Sequence, residues 1–376
     1  MQPDQSRFKF RPSHPGTTFT AFYTAMAAST FAHTFPSGTV EYHLQASLKK
    51  LPELAPPAES ILITDENVAR LYHDALKGYR VLTVPAGEDS KSWQTIERLA
   101  GELASHEAHR KTWLVGVGGG MITDLTGFLA SVYMRGMPYA AVPTTLLATV
   151  DAAIGGKNGI NLGVHKNMLG TVRQPLFILQ DTDLLDTLPD EEWSNGFAEI
   201  IKYGCISDVR IFNTLSHSDI AFYRKTREAL NELIAGCVDV KTKIVNADEE
   251  ETGVRRILNF GHTAGHAFER MHNLSHGAAV GLGMLVACLV SEKVAGLDPT
   301  AKDKLANTLA AYGLPTSLEF NPDEVATLLR TDKKRTDAGI DYVVMESLGK
   351  VRVENLPFGV IEEALQSFAD AGHRPF

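Results

Sequence analysis

Between residues 60 and 150, short apolar runs alternate with amphipathic segments, and this alternation constrains the fold more strongly than any other feature. Strands are predicted at "SILITDENV", "YRVLTVPAGE", "TWLVGVGGG" and "PYAAVPTTLLA", and helices at "SWQTIERLAGELASH" and "TDLTGFLASVYM". Strands that alternate with helices along a chain pair in parallel, with helices covering the sheet. The pattern therefore predicts an α/β fold with a doubly wound, Rossmann-like parallel sheet.

The chain of 376 residues is longer than a single hydrophobic core usually supports, which is about 250 to 300 residues. After "DTDLLDTLPDEEW" the pattern changes, and helical segments dominate from "PDEEWSNGFAEIIKYG" until the strand-like run "DYVVMES". We therefore predict a nucleotide-type α/β domain at residues 36–185 and a mostly α-helical domain at residues 186–376. Residues 1–35 are predicted to be a poorly ordered extension.

Composition argues against several functional classes. The formal net charge of −9 disfavours nucleic-acid binding, because proteins that bind nucleic acid present a basic surface. Cys205, Cys237 and Cys288 lie far apart without a CxxC pair, which fits a reducing compartment and disfavours a thiolate zinc site. The longest apolar run, "AAVGLGMLVACLV", is too short for a membrane span and predicts a buried helix. We find no secretory signal at the N-terminus and expect a cytoplasmic protein.

A glycine run, Gly118, Gly119 and Gly120, lies between a predicted strand and a predicted helix. At such a turn, backbone amides and the helix dipole can bind a pyrophosphate. Tight turns also need glycine for packing alone, and Met121 stands where the GxGxxG pattern would have its third glycine. Four polar side chains follow the first two predicted strands, where they suit either a bound nucleotide or a solvated turn: Asp65, Asn67, Glu88 and Lys91.

The segment "VDAAIGGKNGINLGVHKNMLG" predicts a long polar loop that contains Asp151, Lys157, Lys166 and Asn167. Long loops in compact domains tend to be functional, and one rich in lysine and glycine suits phosphate binding; a flexible surface loop is the alternative. Several cations lie in apolar or turn contexts, and their convergence on one cleft would indicate a multiply anionic small substrate. Each of them alone also suits a solvated surface: Lys157, Lys202, Lys241, Arg255, Lys333 and Lys334.

The stretch "RRILNFGHTAGHAFER", residues 255–270, predicts a helix with one polar face. On a single helix, Arg255, Asn259, His262 and His266 would fall within about 60° of one another. Histidines four residues apart are one arrangement by which a helix offers two ligands to a metal. A purely structural histidine pair is the alternative.

Two further residues extend this hypothesis. Glu199 in "FAEIIKYG" would add a carboxylate ligand, and His276 in "LSHGAAVGLGM" a third imidazole. Glu199 and Lys202 are three residues apart, however, and taken alone they are most simply an exposed ion pair. The spacing by itself leaves both interpretations open.

The chain resembles the 3-dehydroquinate synthase family of sugar phosphate cyclases from about residue 60 to beyond residue 340. The resemblance rests on motifs found in this order: "GGGMITDLTGF", "YMRG", "PTTLLATVDAAIGGKNGIN", "KNMLG", "GFAEIIKYG", "RRILNFGHTAGHAFE" and "HGAAVGLGM". It implies an NAD-dependent metalloenzyme, using zinc or cobalt, that converts a sugar acid phosphate, 3-deoxy-D-arabino-heptulosonate 7-phosphate, to 3-dehydroquinate and phosphate in the shikimate pathway. With the composition, it predicts a homodimer that binds neither nucleic acid nor membrane.

The resemblance also implies roles for individual residues. The implied metal ligands are Glu199, His262 and His276. Of the two histidines four residues apart, only His262 would then bind the metal, and His266 would contact the phosphate. The implied catalytic residues are Asp151, Lys157, Lys202, Asn259 and His266. The implied substrate contacts are Lys241 and Arg255 for the carboxylate, Arg135 from across the dimer interface, and Lys157, Asn167, Asn259, His266 and Lys333 or Lys334 for the phosphate. The predicted NAD contacts are Asp65, Asn67, Glu88, Lys91, Gly118, Gly119, Gly120, Asp124, Thr144, Thr145, Lys166 and Thr187.

This sequence departs from the family pattern after the third ligand. Most members read HGE where this chain has His276, Gly277 and Ala278, and the interval from His266 to His276 is shorter than usual. A carboxylate near a ligating histidine orients its ring, so we expect either weaker metal binding or a substitute partner for His276.

Three other functions would fit parts of this sequence. A sibling cyclase would use sedoheptulose 7-phosphate, which lacks the carboxylate that Lys241 and Arg255 are expected to bind. A related polyol-phosphate dehydrogenase would release NADH, and the long loop from Lys157 to Asn167 speaks against it. A non-catalytic protein that binds NAD and metal would show no turnover, whereas this chain keeps every candidate ligand.

Overall fold

The computed structural model describes residues 30–163, 165–330 and 339–372. The strands of these residues, in chain order, are β1 Thr30–Phe35, β2 Gly38–Leu44, β3 Ser60–Asp65, β4 Arg80–Val84, β5 Trp113–Gly118, β6 Tyr139–Pro143, β7 Lys157–Leu162, β8 His165–Val172, β9 Phe177–Gln180, β10 Ile340–Ser347 and β11 Lys350–Leu356. Seven strands form one sheet in the order β1-β2-β9-β6-β5-β3-β4, in which β1 and β2 are antiparallel and all other neighbours are parallel. The predicted α/β fold with a parallel sheet is confirmed.

The longer helices divide between the two halves of the chain. The sheet region contains Glu66–Leu71, Trp93–Ser105 and Gly120–Val132. The later helices are Asp190–Ile206, Val209–Leu215, Ile220–Lys225, Arg227–Ala247, His262–His272, His276–Ala295, Pro299–Ala311, Pro322–Leu329 and Phe358–Gly372. Helices therefore predominate after residue 190, as the sequence predicts, while the exact division near residue 185 stays a prediction.

Three strands of the sheet do not follow from the sequence pattern. Residues 30–35 of the predicted extension form β1, which pairs with β2 at the sheet edge, and β9 returns to the sheet between β2 and β6. The prediction of an extension up to residue 35 is thus wrong for its last six residues. β9 has only four residues, all buried, so it shows no alternation by which a strand could be recognised.

The segment predicted as a polar loop is folded instead. Ala148–Ala152 is a π-helical turn, and β7 and β8 form an antiparallel hairpin with Lys157 opposite Val172. The hairpin packs on the helix Gly120–Val132, where Asn158 fills the space left by the absent side chain of Gly127. The polar, glycine-rich sequence suggested that the backbone of this segment would face solvent. Instead, its N–H and C=O groups are hydrogen-bonded between the two strands.

The helix His276–Ala295 crosses the interior of the helical half. The helix has 20 residues and is longer than the apolar run "AAVGLGMLVACLV". By length and composition it could span a membrane, so the sequence argument that this segment is too short was wrong. In this structure 67% of its most apolar segment is buried inside the protein. The neighbouring strand β10 supplies buried side chains to the same core, including Val344 and Met345.

Two helices that carry histidines meet through glycine. A methyl group on Gly283 would overlap the carbonyl oxygen of Gly261 and lie 2.7 Å from the amide nitrogen of Gly265. A methyl group on Gly265 would lie 2.9 Å from the carbonyl oxygen of Ala279. The helices His262–His272 and His276–Ala295 therefore approach backbone to backbone, which no larger residue at these positions allows.

We expect Gly283→Ala to lower the melting temperature markedly, because overpacking typically costs about 1 to 3 kcal/mol and here the obstacle is rigid backbone. The matched control is Gly101→Ala in the helix Trp93–Ser105, where a methyl group meets no atom within 4 Å. That control should raise stability by about 1 kcal/mol, since alanine favours helix over glycine. Thermal unfolding followed by circular dichroism compares the two, and equal melting temperatures would contradict the packing argument.

Candidate functional site

Glu199, His262 and His276 converge in the helical half. Their ligand atoms all lie within 4.8 Å of one another, and they are the one such group of histidine, cysteine and carboxylate side chains among the described residues. Nε2 of His276 lies 3.1 Å and Nε2 of His262 lies 3.5 Å from Oε1 of the fully buried Glu199. Two imidazoles and a carboxylate are a donor set that divalent zinc or cobalt accepts, with room for a further ligand.

The histidines are presented by helix starts. His262 is the first residue of one helix and His276 the first residue of the next, and a short turn joins the two. Gly261 precedes the first helix with φ of +79°, a left-handed conformation that favours glycine. The chain can therefore reverse direction immediately before a ligand.

The prediction of one continuous helix over residues 255–270 is wrong. Arg255 and Asn259 belong to a short 3-10 helix, Val254–Asn259, and the left-handed Gly261 separates it from the helix that begins at His262. His266 is exposed, with its ring 5.4 Å from that of His262. Helical spacing holds for the two histidines, but the ligand group does not contain both of them.

Lys202 connects the candidate metal centre to a second carboxylate. Its ammonium contacts Oε2 of Glu199 and lies 3.9 Å from Oδ2 of Asp151. Both side chains of the Glu199–Lys202 pair are buried, so the simple interpretation as an exposed ion pair is wrong. Burial opposes the charge on Lys202, but the carboxylates of Glu199 and Asp151 raise its pKa above the ordinary value.

Asp151 lies in the π-helical turn and is surrounded by hydrogen-bond donors. Lys241 contacts Oδ1 of Asp151 and donates to its backbone oxygen at 2.5 Å, and Tyr203 donates to Oδ1 at 2.8 Å. Burial would raise the pKa of Asp151, but the positive charges of Lys241 and Lys202 hold it well below its usual range. The carboxylate is therefore ionised and ready to accept a further hydrogen bond.

Glu251 joins the site although the sequence analysis did not single it out. Its carboxylate contacts Lys157 and accepts a hydrogen bond of 2.7 Å from Nδ2 of Asn259, two residues predicted to bind phosphate. Its backbone has φ of +59°, which is uncommon for a residue other than glycine. In the sequence it stands in the acidic run "DEEE", which reads as a solvated turn, and only its nearness to Arg255 could have signalled a role.

Arg255 is buried and fixed by backbone oxygens. Nη1 donates to Glu249 at 2.5 Å, and Nη2 donates to Gly155 at 3.0 Å. A side chain on Gly155, whose φ is +98°, would collide with this guanidinium. Lys202 and Lys241 both lie beside Asp151, and a carboxylate contacts each of the three lysines Lys157, Lys202 and Lys241.

Residues of the predicted nucleotide site gather at the carboxyl ends of β5 and β6. The backbone amide of Thr144 donates to the carbonyl oxygen of Gly118 at 2.9 Å, and Gly119 precedes the helix that begins at Gly120. A side chain on Gly118 would collide with Ile122, so this glycine also serves packing. Ligands of parallel α/β sheets bind at this end of the strands.

Lys91 and Asp124 form a buried ion pair of 2.5 Å beside that turn. Burial opposes the charge on Lys91, but Asp124 and Glu88 raise its pKa. Asp65 caps the following helix by accepting from the backbone amides of Asn67 and Val68, so a structural role is sufficient for it.

The remaining predicted residues are spread more widely. Glu88 accepts from Asn161 at 2.9 Å, Thr187 bonds Tyr72 at 2.8 Å, and Thr145 accepts from the amide of Ala148 at 3.1 Å. Besides Lys157 and His266, the exposed predicted residues are Asn67, Glu88, Arg135, Lys166, Asn167 and Thr187. Lys333 and Lys334 lie outside the described residues. The individual roles of all these residues stay predictions.

Glu269 is a candidate for the substitute carboxylate partner of His276, since this chain has Ala278 where most family members have glutamate. Its Oε1 lies 4.0 Å from Nδ1 of His276 and accepts a hydrogen bond of 2.7 Å from Lys166 in the β7–β8 hairpin. Burial alone would lower the pKa of His276, but its hydrogen bond to Glu199 and the charges of Glu199 and Glu269 raise the pKa above the ordinary 6.5.

Several solved structures share the fold of this chain. The chain superposes on 2-deoxy-scyllo-inosose synthase, complexed with carbaglucose-6-phosphate, NAD+ and Co2+, with a TM-score of 0.82 and 23% identity, over 90% of this chain and 100% of that one. It superposes on a 2-epi-5-epi-valiolone synthase of Streptomyces hygroscopicus subsp. jinggangensis, with NAD+ and Zn2+ bound, with a TM-score of 0.81 and 25% identity, over 90% and 99%. The fold is that of sugar phosphate cyclases.

Sequence comparison identifies the family. Residues 81–195 match the N-terminal model and residues 196–335 the C-terminal model of 3-dehydroquinate synthase. A 3-dehydroquinate synthase of Acidithiobacillus ferrooxidans is 38% identical over 325 residues, which are 83% of this chain and 89% of that protein. This chain belongs to the 3-dehydroquinate synthase family, enzymes that close a ring and eliminate phosphate.

The raised pKa of His276 predicts how metal affinity depends on pH. A histidine must lose its proton before that nitrogen binds a metal, and His276 retains a proton to a pH above 6.5. We expect the zinc affinity of metal-free protein to increase between about pH 6 and pH 8, with a proton released on binding. Calorimetry in buffers of different ionisation enthalpy measures both, and an affinity that is constant over this range would contradict the assignment.

Proposed function

We propose that this protein converts 3-deoxy-D-arabino-heptulosonate 7-phosphate to 3-dehydroquinate and phosphate, with NAD and a divalent metal as cofactors. One observation carries the proposal: contacts run without a break from the group of Glu199, His262 and His276 through Lys202 to Asp151 and Lys241. In a member of this family, ligands for a metal thus lie beside cations suited to a carboxylate.

The residues present fit both cofactors. Glu199, His262 and His276 would hold zinc or cobalt, and the turn at Gly118 and Gly119 would receive the pyrophosphate of NAD. When bound, NAD would accept and return a hydride while the metal polarises the alcohol oxygen, chemistry that these side chains do not supply themselves.

The substrate's carboxylate would meet Lys241 beside the fixed Arg255. Arg255 donates to two backbone oxygens, so its position is set before substrate arrives. Preorganised charge costs no rearrangement during the reaction. Lys241 is more adaptable, because its partner Asp151 is also bound by Tyr203 and stays satisfied when the ammonium turns to the substrate.

The substrate's phosphate would meet Lys157, Asn259 and His266. Lys157 and Asn259 share Glu251, whose carboxylate would yield to the phosphate as the substrate binds. The ionised Asp151, with Lys202 at 3.9 Å, is suited to accept a hydrogen bond from a reacting hydroxyl and so to orient it. The departing phosphate can itself take the proton that its loss requires, so no separate side-chain base is needed at that step.

We further propose a cytoplasmic homodimer in which Arg135 reaches the partner's site. Arg135 is exposed in a turn where both it and Met134 have positive φ, of 62° and 48°. Backbone conformations of this kind are strained for residues other than glycine and cluster at functional sites, which supports a role for this exposed arginine.

The first test measures phosphate release from 3-deoxy-D-arabino-heptulosonate 7-phosphate by chelator-stripped protein. Zinc or cobalt and NAD are added or omitted, and NADH absorbance is followed in the same cuvette. We expect phosphate release that needs both metal and NAD and leaves no net NADH. Accumulating NADH would indicate a dehydrogenase, and turnover with sedoheptulose 7-phosphate alone would indicate a sibling cyclase.

The substitute partner for His276 is tested by Glu269→Gln. We expect zinc affinity to fall about tenfold or more, because loss of an outer carboxylate that orients a ligating histidine typically has this effect. Competition with a chromophoric chelator measures the affinity. The matched control is Glu292→Gln, a partly buried carboxylate that pairs with Lys302 at 3.9 Å away from the site. Equal affinities for both variants would exclude the role of Glu269.

A further inference from the structure

Tyr203 shares its single hydroxyl proton between two acceptors on the turn that carries Asp151. Its hydroxyl lies 2.8 Å from Oδ1 of Asp151 and 3.1 Å from the carbonyl oxygen of Val150. The side chain is fully buried in the core of the helical half. A buried phenol in this position contacts backbone and carboxylate of the same turn at once.

The turn itself is unusual. Residues Ala148–Ala152 form a π-helical turn, in which the amide of Ala153 donates to the carbonyl oxygen of Ala148. Such turns place side chains where an α-helix would not and are frequent at functional sites. Their hydrogen bonds are less regular, so an external donor can determine their shape.

The other side chains that contact Asp151 are less able than Tyr203 to fix the orientation of its carboxylate. Lys241 and Lys202 are long side chains, and Lys202 also contacts Glu199. Lys241 is expected to turn to the substrate, so its contact with Asp151 changes during the reaction, and Lys202 lies 3.9 Å from the other carboxylate oxygen. The ring of Tyr203 is enclosed, and its hydroxyl keeps one position.

We propose that Tyr203 is a positioning residue that fixes the carboxylate of Asp151, and the π-helical turn beneath it, for the reaction. This inference rests on the proposed role of Asp151. The hydroxyl of Tyr203 contacts Asp151 and Val150, and its ring lies 5.3 Å from the ammonium of Lys202, a contact that a phenylalanine at this position would retain.

The test compares Tyr203→Phe with Tyr223→Phe, a matched control. Tyr223 is equally buried, and its hydroxyl lies 3.4 Å from Ser218, away from the site. In Tyr203→Phe we expect kcat to fall about tenfold or more, since a hydrogen bond to a charged group is lost, with KM within about twofold of wild type. Tyr223→Phe should keep both constants, measured at a temperature where circular dichroism shows all proteins folded.

The cycle with Asp151→Asn distinguishes positioning from packing. In that background, Tyr203→Phe should change phosphate release by less than about twofold, because the group it positions is already gone. A normal kcat in Tyr203→Phe, a rise in KM alone, or full additivity with Asp151→Asn would overturn the proposal.

Melting temperatures of wild type, Tyr203→Phe, Asp151→Asn and the double variant give a measure that needs no turnover. Non-additive shifts support the contact between Tyr203 and Asp151 even if wild type releases no phosphate, and additive shifts refute it. Failure of the proposed reaction is thereby separated from failure of this inference.

Discussion

The burial of Glu199 is the constraint on which the rest of the site depends. An ionised carboxylate inside a protein is costly unless charged or hydrogen-bonding partners surround it. Lys202 supplies one partner on the same helix, and His262 and His276 approach the other oxygen. To bring both histidines there, two helices must start beside Glu199 and cross with their backbones in contact, which the glycines at Gly265 and Gly283 permit. Lys202 then links this centre to Asp151.

Much of the architecture could be predicted from the sequence, because the periodicity of buried side chains reports strands and helices directly. The central strands and the helical second half follow from it. The break at Gly261 does not, since angular spacing on a helical wheel assumes the continuity that a left-handed glycine removes. The metal group was reached through resemblance, because spacing along one helix favours His266 over the more distant His276.

Electrostatic partners were the least predictable part of the site. The lysines were candidate site residues, but their pairing with Asp151 and Glu251, and the burial of the pair with Glu199, did not follow from the sequence. Glu251 stands in an acidic run, and the spacing of Glu199 and Lys202 is the same in an exposed pair as in a buried one. Burial of a charge is decided by neighbours distant in sequence, which a local pattern does not contain. As a result, the positive charges of the lysines are largely neutralised by carboxylates. An anionic substrate would have to displace a carboxylate from a lysine in order to bind that lysine.

The candidate metal ligands and some of the candidate substrate contacts come from different parts of the chain. All three candidate ligands come from helices after residue 190, whereas Asp151 and Lys157 come from the π-helical turn and the hairpin before residue 180. A methyl group on Gly163 of this hairpin would meet no atom within 4 Å, so a small side chain there would not press on the ligand helices. Selection can therefore change which phosphorylated sugar is accepted while the redox and metal chemistry is inherited intact.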